Sequence, residues 1–452
     1  MTLFNKYRLV KPTRLFNTSI IYISLSFFTI LPAYCLPSSR SSLIQDSPKE
    51  VLDQVWQVIY RDYMDSTGKY NKSDWLKLRR KVLANKYHDT SQAYETIRGM
   101  LSTLDDPYTR FLDPKEFKEL QIDTSGELTG IGIQISIDSN TKDIIVIAPI
   151  EGTPAFKAGI QPNDIIVSID DTSTKGMGVE DVVKLIRGKK GTSVKIGILR
   201  GKKILVLSLL RDRISIRSVT SRLNKSNTGI NIAYIRIRQF SSNSANELRN
   251  SLSSLKQNNP DAYIIDLRSN PGGLLEASID MSRQLLDKGV IVSTKTKDGI
   301  RDVRRATGNA LISKPLALLV NEASASASEI MSAAIQDNNR GILVGKKTFG
   351  KGLVQSVRPL VDGSGLTVTV AKYLTPKGID IHKNGISPDI EASISKRNKT
   401  NISANQLGTS LDNQYSVAVS ALSKLLSQKP KYKSFIPKIA NYSMALEIPT
   451  SF

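Results

Sequence analysis

The chain has 452 residues, enough for more than one hydrophobic core and so for two or three domains. Lys and Arg number 63 against 41 Asp and Glu, a formal charge of +22, yet no zinc-finger, RNA-binding or basic-helix pattern accompanies the surplus. The excess reads as solvated surface, with no nucleic acid partner and with peripheral association with an anionic membrane left open. Cys35 is the only cysteine, so a monomer has no disulfide and a cysteine protease is excluded; no His-Glu-x-x-His or paired-cysteine pattern offers a metal site, and no cofactor is expected.

At the amino terminus Lys6, Arg8, Lys11 and Arg14 precede an apolar stretch from about Ile20 to Leu31, then Pro32-Ala33-Tyr34-Cys35. Residues 1–35 read as a secretory signal cleaved near Cys35, with an uncleaved membrane anchor as the alternative. Tyr34 argues against lipidation, which needs a small residue there. Cleavage takes four basic and no acidic residues, lowering the charge from +22 to +18. Residues 36–125 follow as a helical region, with Val51, Val55, Val58 and Ile59 at helical spacing. Residues 126–213 carry Gly130-Ile131-Gly132-Ile133 before alternating strands, and Gly159-Ile160-Gln161-Pro162-Asn163-Asp164-Ile165-Ile166 later. Both segments resemble the hallmarks of a PDZ domain, in which an extended chain end adds a strand to a sheet edge and backbone N–H groups, here near Gly130, Ile131 and Gly132, receive its carboxylate. A dinucleotide loop is excluded because Ile135 stands where its third glycine belongs. Residues 214–394 alternate strand and helix patterns. Residues 395–452 read as a Ser, Asn and Lys-rich linker to about 413, then a helix near Tyr415 to Leu426.

Two strand-turn-helix units in the α/β region carry the chemistry. Leu316 to Val320 is an apolar run that leads through Ser324-Ala325-Ser326-Ala327-Ser328-Glu329 into a helix with Ala327, Ile330, Met331, Ala334 and Ile335 at helical spacing. Ser326 thus stands at the carboxyl end of a strand and the start of a helix, where N–H groups stabilise a developing oxyanion. Ser326 with Glu329 equally matches a helix capping box. Ala262 to Leu267 leads through Arg268-Ser269-Asn270-Pro271-Gly272-Gly273 into a second helix, around Leu274 to Leu286. Lys351, between Gly350 and Gly352, is a base if burial lowers its pKa. If Lys351 to Gln355 is extended, the period of two places Gln355 on the lysine's face. The only histidines, His88 and His382, offer little for a histidine triad.

Together with Leu104-Asp105-Asp106-Pro107-Tyr108-Thr109-Arg110-Phe111-Leu112, Thr348-Phe349-Gly350-Lys351-Gly352 and Gly385-Ile386-Ser387-Pro388-Asp389, these motifs resemble, in order, those of the carboxyl-terminal processing peptidases, or tail-specific proteases. The lysine lies 25 residues after the serine, as in that family. The resemblance implies an α+β multidomain protein: helical amino-terminal region, PDZ-like β-rich domain and ClpP/crotonase-like α/β protease core. It implies Ser326 as nucleophile, Lys351 as general base and Gln355 as the residue orienting it, with the N–H groups of Gly272 and Ala327 as the oxyanion hole. Arg187 matches an arginine coupling the PDZ domain to the catalytic site, and Asp337 a supporting acidic position. The expected substrates are exported proteins with accessible C-terminal tails, in a periplasm or thylakoid lumen, with the precursor of a photosystem II reaction-centre subunit favoured. The rivals are a general periplasmic degradation protease and a non-catalytic PDZ scaffold.

Overall fold

The computed structural model describes residues 48–227, 229–299, 301–393 and 406–427. The leader read at residues 1–35 lies outside them, and among the described residues no helix is long and apolar enough to cross a membrane.

Four helices open the described chain: Pro48–Asp62, Lys72–Ala84, Thr90–Ser102 and Pro114–Ser125. Local chemistry sets their ends. Asn71, Asp89 and Asp113 accept first-turn N–H groups, and Gly126 closes the fourth helix at φ +69°. Their apolar stripes do not form a domain of their own. Val51, Val55, Ile59 and Ile97 pack with Leu366 and Val368 of the strand Gly365–Leu374, and the short strand Arg110–Leu112 pairs antiparallel with that same strand. The region expected to be helical therefore contributes a strand to a sheet of the α/β region.

Residues from Ile133 to Leu210 build an antiparallel sheet in the order Ile133–Ile137, Ile144–Pro149, Ile165–Ile169, Ser193–Arg200, Lys203–Leu210. The helix Val179–Ile186 buries Val182 and Ile186 with Ile144, Val146, Val194 and Ile196 of the sheet. Ile133–Ile137 lies at the open edge of this sheet. A two-stranded ribbon, Glu127–Gly130 with Asp212–Ser215, brings the chain into this domain and out again.

The core sheet runs Val219–Lys225, Asn231–Ile237, Ala262–Asp266, Leu316–Val320, Ile342–Gly345, Ile390–Glu391, parallel except for its first strand. Leu316–Val320 is buried throughout, as a parallel strand covered on both faces must be. Alternate residues face opposite ways. Ile235, Ile265 and Leu318 share a cluster with Leu252, Met281 and Met331 from the helices Ser244–Lys256, Leu275–Leu285 and Ala327–Asp337. Ile264, Ala317 and Leu319 share another with Tyr415, Ala418 and Leu422 of the helix Asn413–Ser427.

Of the span read as a linker, residues 394–405 lie outside the described residues, but residues 406–412 are held against the core. Gly408 packs so closely on the Tyr234 ring that a Cβ there would lie 2.5 Å from its nearest ring carbon, and Asp412 is wholly buried. A Ser and Asn-rich composition resembles a linker until its one carboxylate finds a buried partner.

Candidate active site

Three neighbouring parallel strands, Ala262–Asp266, Leu316–Val320 and Ile342–Gly345, release their following loops at one edge of the sheet. That edge is where open parallel sheets place their chemistry. The first loop carries Gly272, the second Ser326 and the third Lys351. Cross-bonds hold the loops in mutual register. The Ser324 hydroxyl donates to the Leu267 carbonyl at 2.8 Å, the Ala325 N–H to the Asn270 carbonyl at 3.1 Å, and the Phe349 N–H to the Ser324 carbonyl at 3.0 Å.

Ser326 is 7% exposed and sits at φ +56°, ψ −113°, a backbone conformation that favours glycine. Holding a serine there costs about 1–3 kcal/mol, and such strain concentrates at functional turns. The capping box is present in its return half, since the Glu329 carboxylate accepts the Ser326 N–H at 2.8 Å. It does far more than cap. Wholly buried, Glu329 also accepts from the Thr348 hydroxyl at 2.6 Å, the Gly350 N–H at 2.7 Å and the Lys351 N–H at 2.9 Å. One of its oxygens, Oε2, receives both the Ser326 and the Lys351 N–H groups. The serine turn and the lysine loop are thus one carboxylate apart.

The Lys351 ammonium lies 5.0 Å from the centre of the Tyr108 ring, and among the described residues it makes no hydrogen bond to the Ser326 hydroxyl. Burial holds its pKa below the ordinary lysine value, helped by the positive charge of Arg110 and opposed by Asp106 and Glu329. Gly350 and Gly352 are needed by close approach. A Cβ on Gly352 would lie 2.4 Å from the His382 nitrogen, and Gly350 has φ +92° against the backbone of Asn384 and Gly385. His382 packs there as an edge against Tyr108, its pKa lowered by burial, and His88 is exposed in the helical region; among the described residues neither histidine hydrogen-bonds Ser326.

Gln355 requires a correction. The strand starts at Leu353 rather than Lys351, so the lysine lies outside the extended run on which a shared face depended; opposite Val354 and Gln355 the partner strand carries an extra residue, Val370. The Gln355 Nε2 is nevertheless buried and unpartnered among the described residues, as is the hydroxyl of its cross-strand partner Thr369.

The two expected oxyanion donors differ. Gly272 lies against the serine turn at φ +106°, where a Cβ would stand 2.9 Å from the Ser326 Cβ, but its N–H already donates to the Asn270 side-chain oxygen at 2.9 Å. Asn270 is itself fixed, donating its amide to the Ile237 carbonyl at 3.0 Å. The Ala327 N–H has no protein acceptor among the described residues. Gly272 is therefore beside the serine as expected, while its N–H is engaged within its own turn.

Asp337 ends the serine helix, about 16 Å from Ser326 at a rise of about 1.5 Å per residue. It pairs with Lys377 at 3.3 Å, bracing a loop rather than the site. In the PDZ-like domain the N–H groups of Ile131 and Gly132 have no protein acceptor among the described residues, and Gly132, at φ +80°, packs on the Thr153 side chain. The Arg187 guanidinium makes no hydrogen bond or ion pair among the described residues. Arg211, which the sequence reading passed over, does the local work: 8% exposed, it donates to the carbonyls of Leu185, Ile186 and Ser193 and so closes the same helix end.

The remaining motifs find places around these loops. Asp106 accepts from the Tyr108 N–H and the Thr109 hydroxyl, and that hydroxyl accepts the Thr369 N–H. Asp389 accepts from the Leu343 N–H and the Gln336 amide, tying its motif to a core strand and the serine helix. Arg268 is 5% exposed and gripped by Asp266 and Asp412, each through two hydrogen bonds of 2.6 to 2.9 Å. Burial pulls its pKa down, and the bonds and charges of the two carboxylates more than offset that, leaving it raised.

A parallel sheet that gathers three loops at one edge, with a PDZ domain carried on a ribbon beside it, defines a class: PDZ-bearing proteases. The model of peptidase family S41 matches residues 231–392, and a PDZ domain model matches residues 145–200. The chain is 42% identical over 356 residues to the carboxyl-terminal-processing protease of Synechocystis sp., spanning 78% of this chain and 83% of that protein. It is 40% identical over 390 residues to the protein of that name from Picosynechococcus sp., spanning 86% and 92%. A solved structure of a photosystem II D1 C-terminal processing protease matches with a TM-score of 0.50 at 36% identity, covering 77% of this chain and 93% of that one. The chain belongs to peptidase family S41, among the carboxyl-terminal-processing proteases.

Proposed function

We propose that this protease hydrolyses peptide bonds near the carboxyl termini of exported proteins with a Ser326–Lys351 pair. Lys351, its pKa lowered by burial, takes the Ser326 proton in its neutral form as the hydroxyl attacks the substrate carbonyl, then passes it to the leaving amine. The Ala327 N–H stabilises the oxyanion, and Gly272 joins it once its N–H leaves Asn270. Gln355, whose buried Nε2 has no partner among the described residues, steadies the lysine. The substrate's tail adds to the Ile133–Ile137 edge with its carboxylate at Gly130, Ile131 and Gly132, and Arg187, without a hydrogen-bond or ion-pair partner among the described residues, couples that event to the core. Asp337 supports from a distance. The observation that carries this reading is the single Glu329 oxygen accepting both the Ser326 and the Lys351 N–H groups.

The favoured substrate is the precursor of a photosystem II reaction-centre subunit in a thylakoid lumen, since one similar solved protein is named for D1 processing and the relatives at 40% identity or more given above are cyanobacterial. General tail degradation in a periplasm is the alternative. Incubating the wild type and Ser326→Ala with a peptide carrying a D1-type C-terminal extension tests both levels. Cleavage by the wild type, lost in the variant, is expected. Equal peptide binding with no cleavage by either protein would instead mark a PDZ scaffold. Peptides accumulating in a strain lacking the protein separate the two substrate readings.

A further inference from the structure

Tyr108 lies more than 240 residues from Lys351 in sequence, in a loop of the helical region, yet its ring is the group over which the Lys351 Nζ rests, 5.0 Å from the centroid. We propose that Tyr108 is a positioning residue for the general base: its ring face seats the Lys351 ammonium that forms when the amine takes the Ser326 proton. The proposal rests on the Ser326–Lys351 reading.

The ring is built into place. Its own N–H donates to Asp106 at 2.9 Å, the next residue's hydroxyl donates to the same carboxylate at 2.8 Å, and the His382 ring meets it edge-on at 6.2 Å. The groups facing the lysine come from three elements. Asp106 and Tyr108 lie on the loop after the third helix, Arg110 on the strand that follows it and Glu329 on the serine helix, while His382 meets the ring edge-on. Their effects divide. Burial and Arg110 favour the neutral amine, whereas Asp106 and Glu329 favour the ammonium. A π face attracts a cation and is indifferent to a neutral amine, so the ring adds to the second group without adding a titrating charge.

The sign of the effect separates this role from simple packing. Leucine keeps the apolar cover but removes the π face, so the amine becomes neutral at lower pH. Tryptophan offers the strongest face and shifts the balance the other way. The experiment is the pH dependence of kcat/KM on a C-terminal-tail peptide for the full chain. The acid limb of Tyr108→Phe should follow the wild type, that of Tyr108→Leu should move down by about 0.5 to 1.5 pH units, and that of Tyr108→Trp should move up. Limbs of the Leu and Trp variants that coincide with the wild type, or move in the opposite directions, overturn the seat while leaving the base in place. A wild-type profile with no acid limb overturns the Ser326–Lys351 reading itself, and the seat with it. If the Leu variant fails to fold, the upward shift in the Trp variant decides alone.

Discussion

Among single residues, Glu329 has a larger role than its sequence context suggested. Beside Ser326 it matched a capping box, a local motif confined to one helix turn. The structure gives its carboxylate four donors, three of which belong to the loop from Thr348 to Lys351. The capping motif does not reveal these contacts, because the loop is brought to Glu329 by parallel pairing of Leu316–Val320 with Ile342–Gly345. Glutamine at 329 keeps the size but exchanges one acceptor oxygen for an amide donor, which must face N–H groups inside a dry site. Hydrogen bonds to a buried charge are worth about 1.5–3 kcal/mol each, so Glu329→Gln should lower stability by about 3 kcal/mol and cut kcat by more than tenfold. Urea unfolding and turnover of a tailed peptide check this. Wild-type values for both would mean that the four contacts are dispensable.

At the level of elements, the strand-turn-helix units were legible because both carry strong local signals. Leu316 to Val320 is the strand the apolar run predicts, and the helix after Ser326 begins at Ala327. What periodicity missed was irregular or non-local. That the strand begins only at Leu353, past the lysine, is invisible to a period-of-two argument, and Arg110–Leu112 becomes a strand only because Gly365–Thr367 lies beside it. The segment read as a linker shows the same limit. Asp412 precedes the helix Asn413–Ser427, accepts the Tyr415 N–H at 3.2 Å and the Gly408 N–H at 2.8 Å, and grips Arg268 two residues before Asn270. The carboxyl-terminal helix is thereby clamped to the turn that carries Gly272. Removing one member of a buried ion pair costs about 3–5 kcal/mol. Asp412→Ala should therefore unfold earlier in denaturant by an amount of that order and lose kcat with little change in KM. A variant as stable and as fast as the wild type would detach the helix from the active site. The pKa of Asp412 is opposed by burial, yet held below the ordinary carboxylate value by Arg268. Its stabilisation is therefore complete above the unfolded carboxylate value and is lost as the pH falls through the lower folded one.

On the scale of the whole molecule, three of the five sequence motifs leave one edge of the core sheet, and the other two meet them from outside it, Tyr108 at the Lys351 Nζ and the Ile386 N–H at the Thr348 hydroxyl. Their order was readable, and so was the division into a helical region, a PDZ domain and an α/β core. The mutual support was not. The helical region lends a strand and Tyr108, and the tail lends Asp412, so regions that look like separate modules in sequence share one site. The central claim is that Lys351 serves as the base for Ser326, and turnover of a tailed peptide by Lys351→Arg tests it most directly. Arginine keeps the positive charge and the length but stays protonated at any working pH. The account predicts a folded variant with less than about one thousandth of the wild-type kcat/KM, in line with loss of a general base together with its oriented proton path. Turnover within tenfold of the wild type would contradict it.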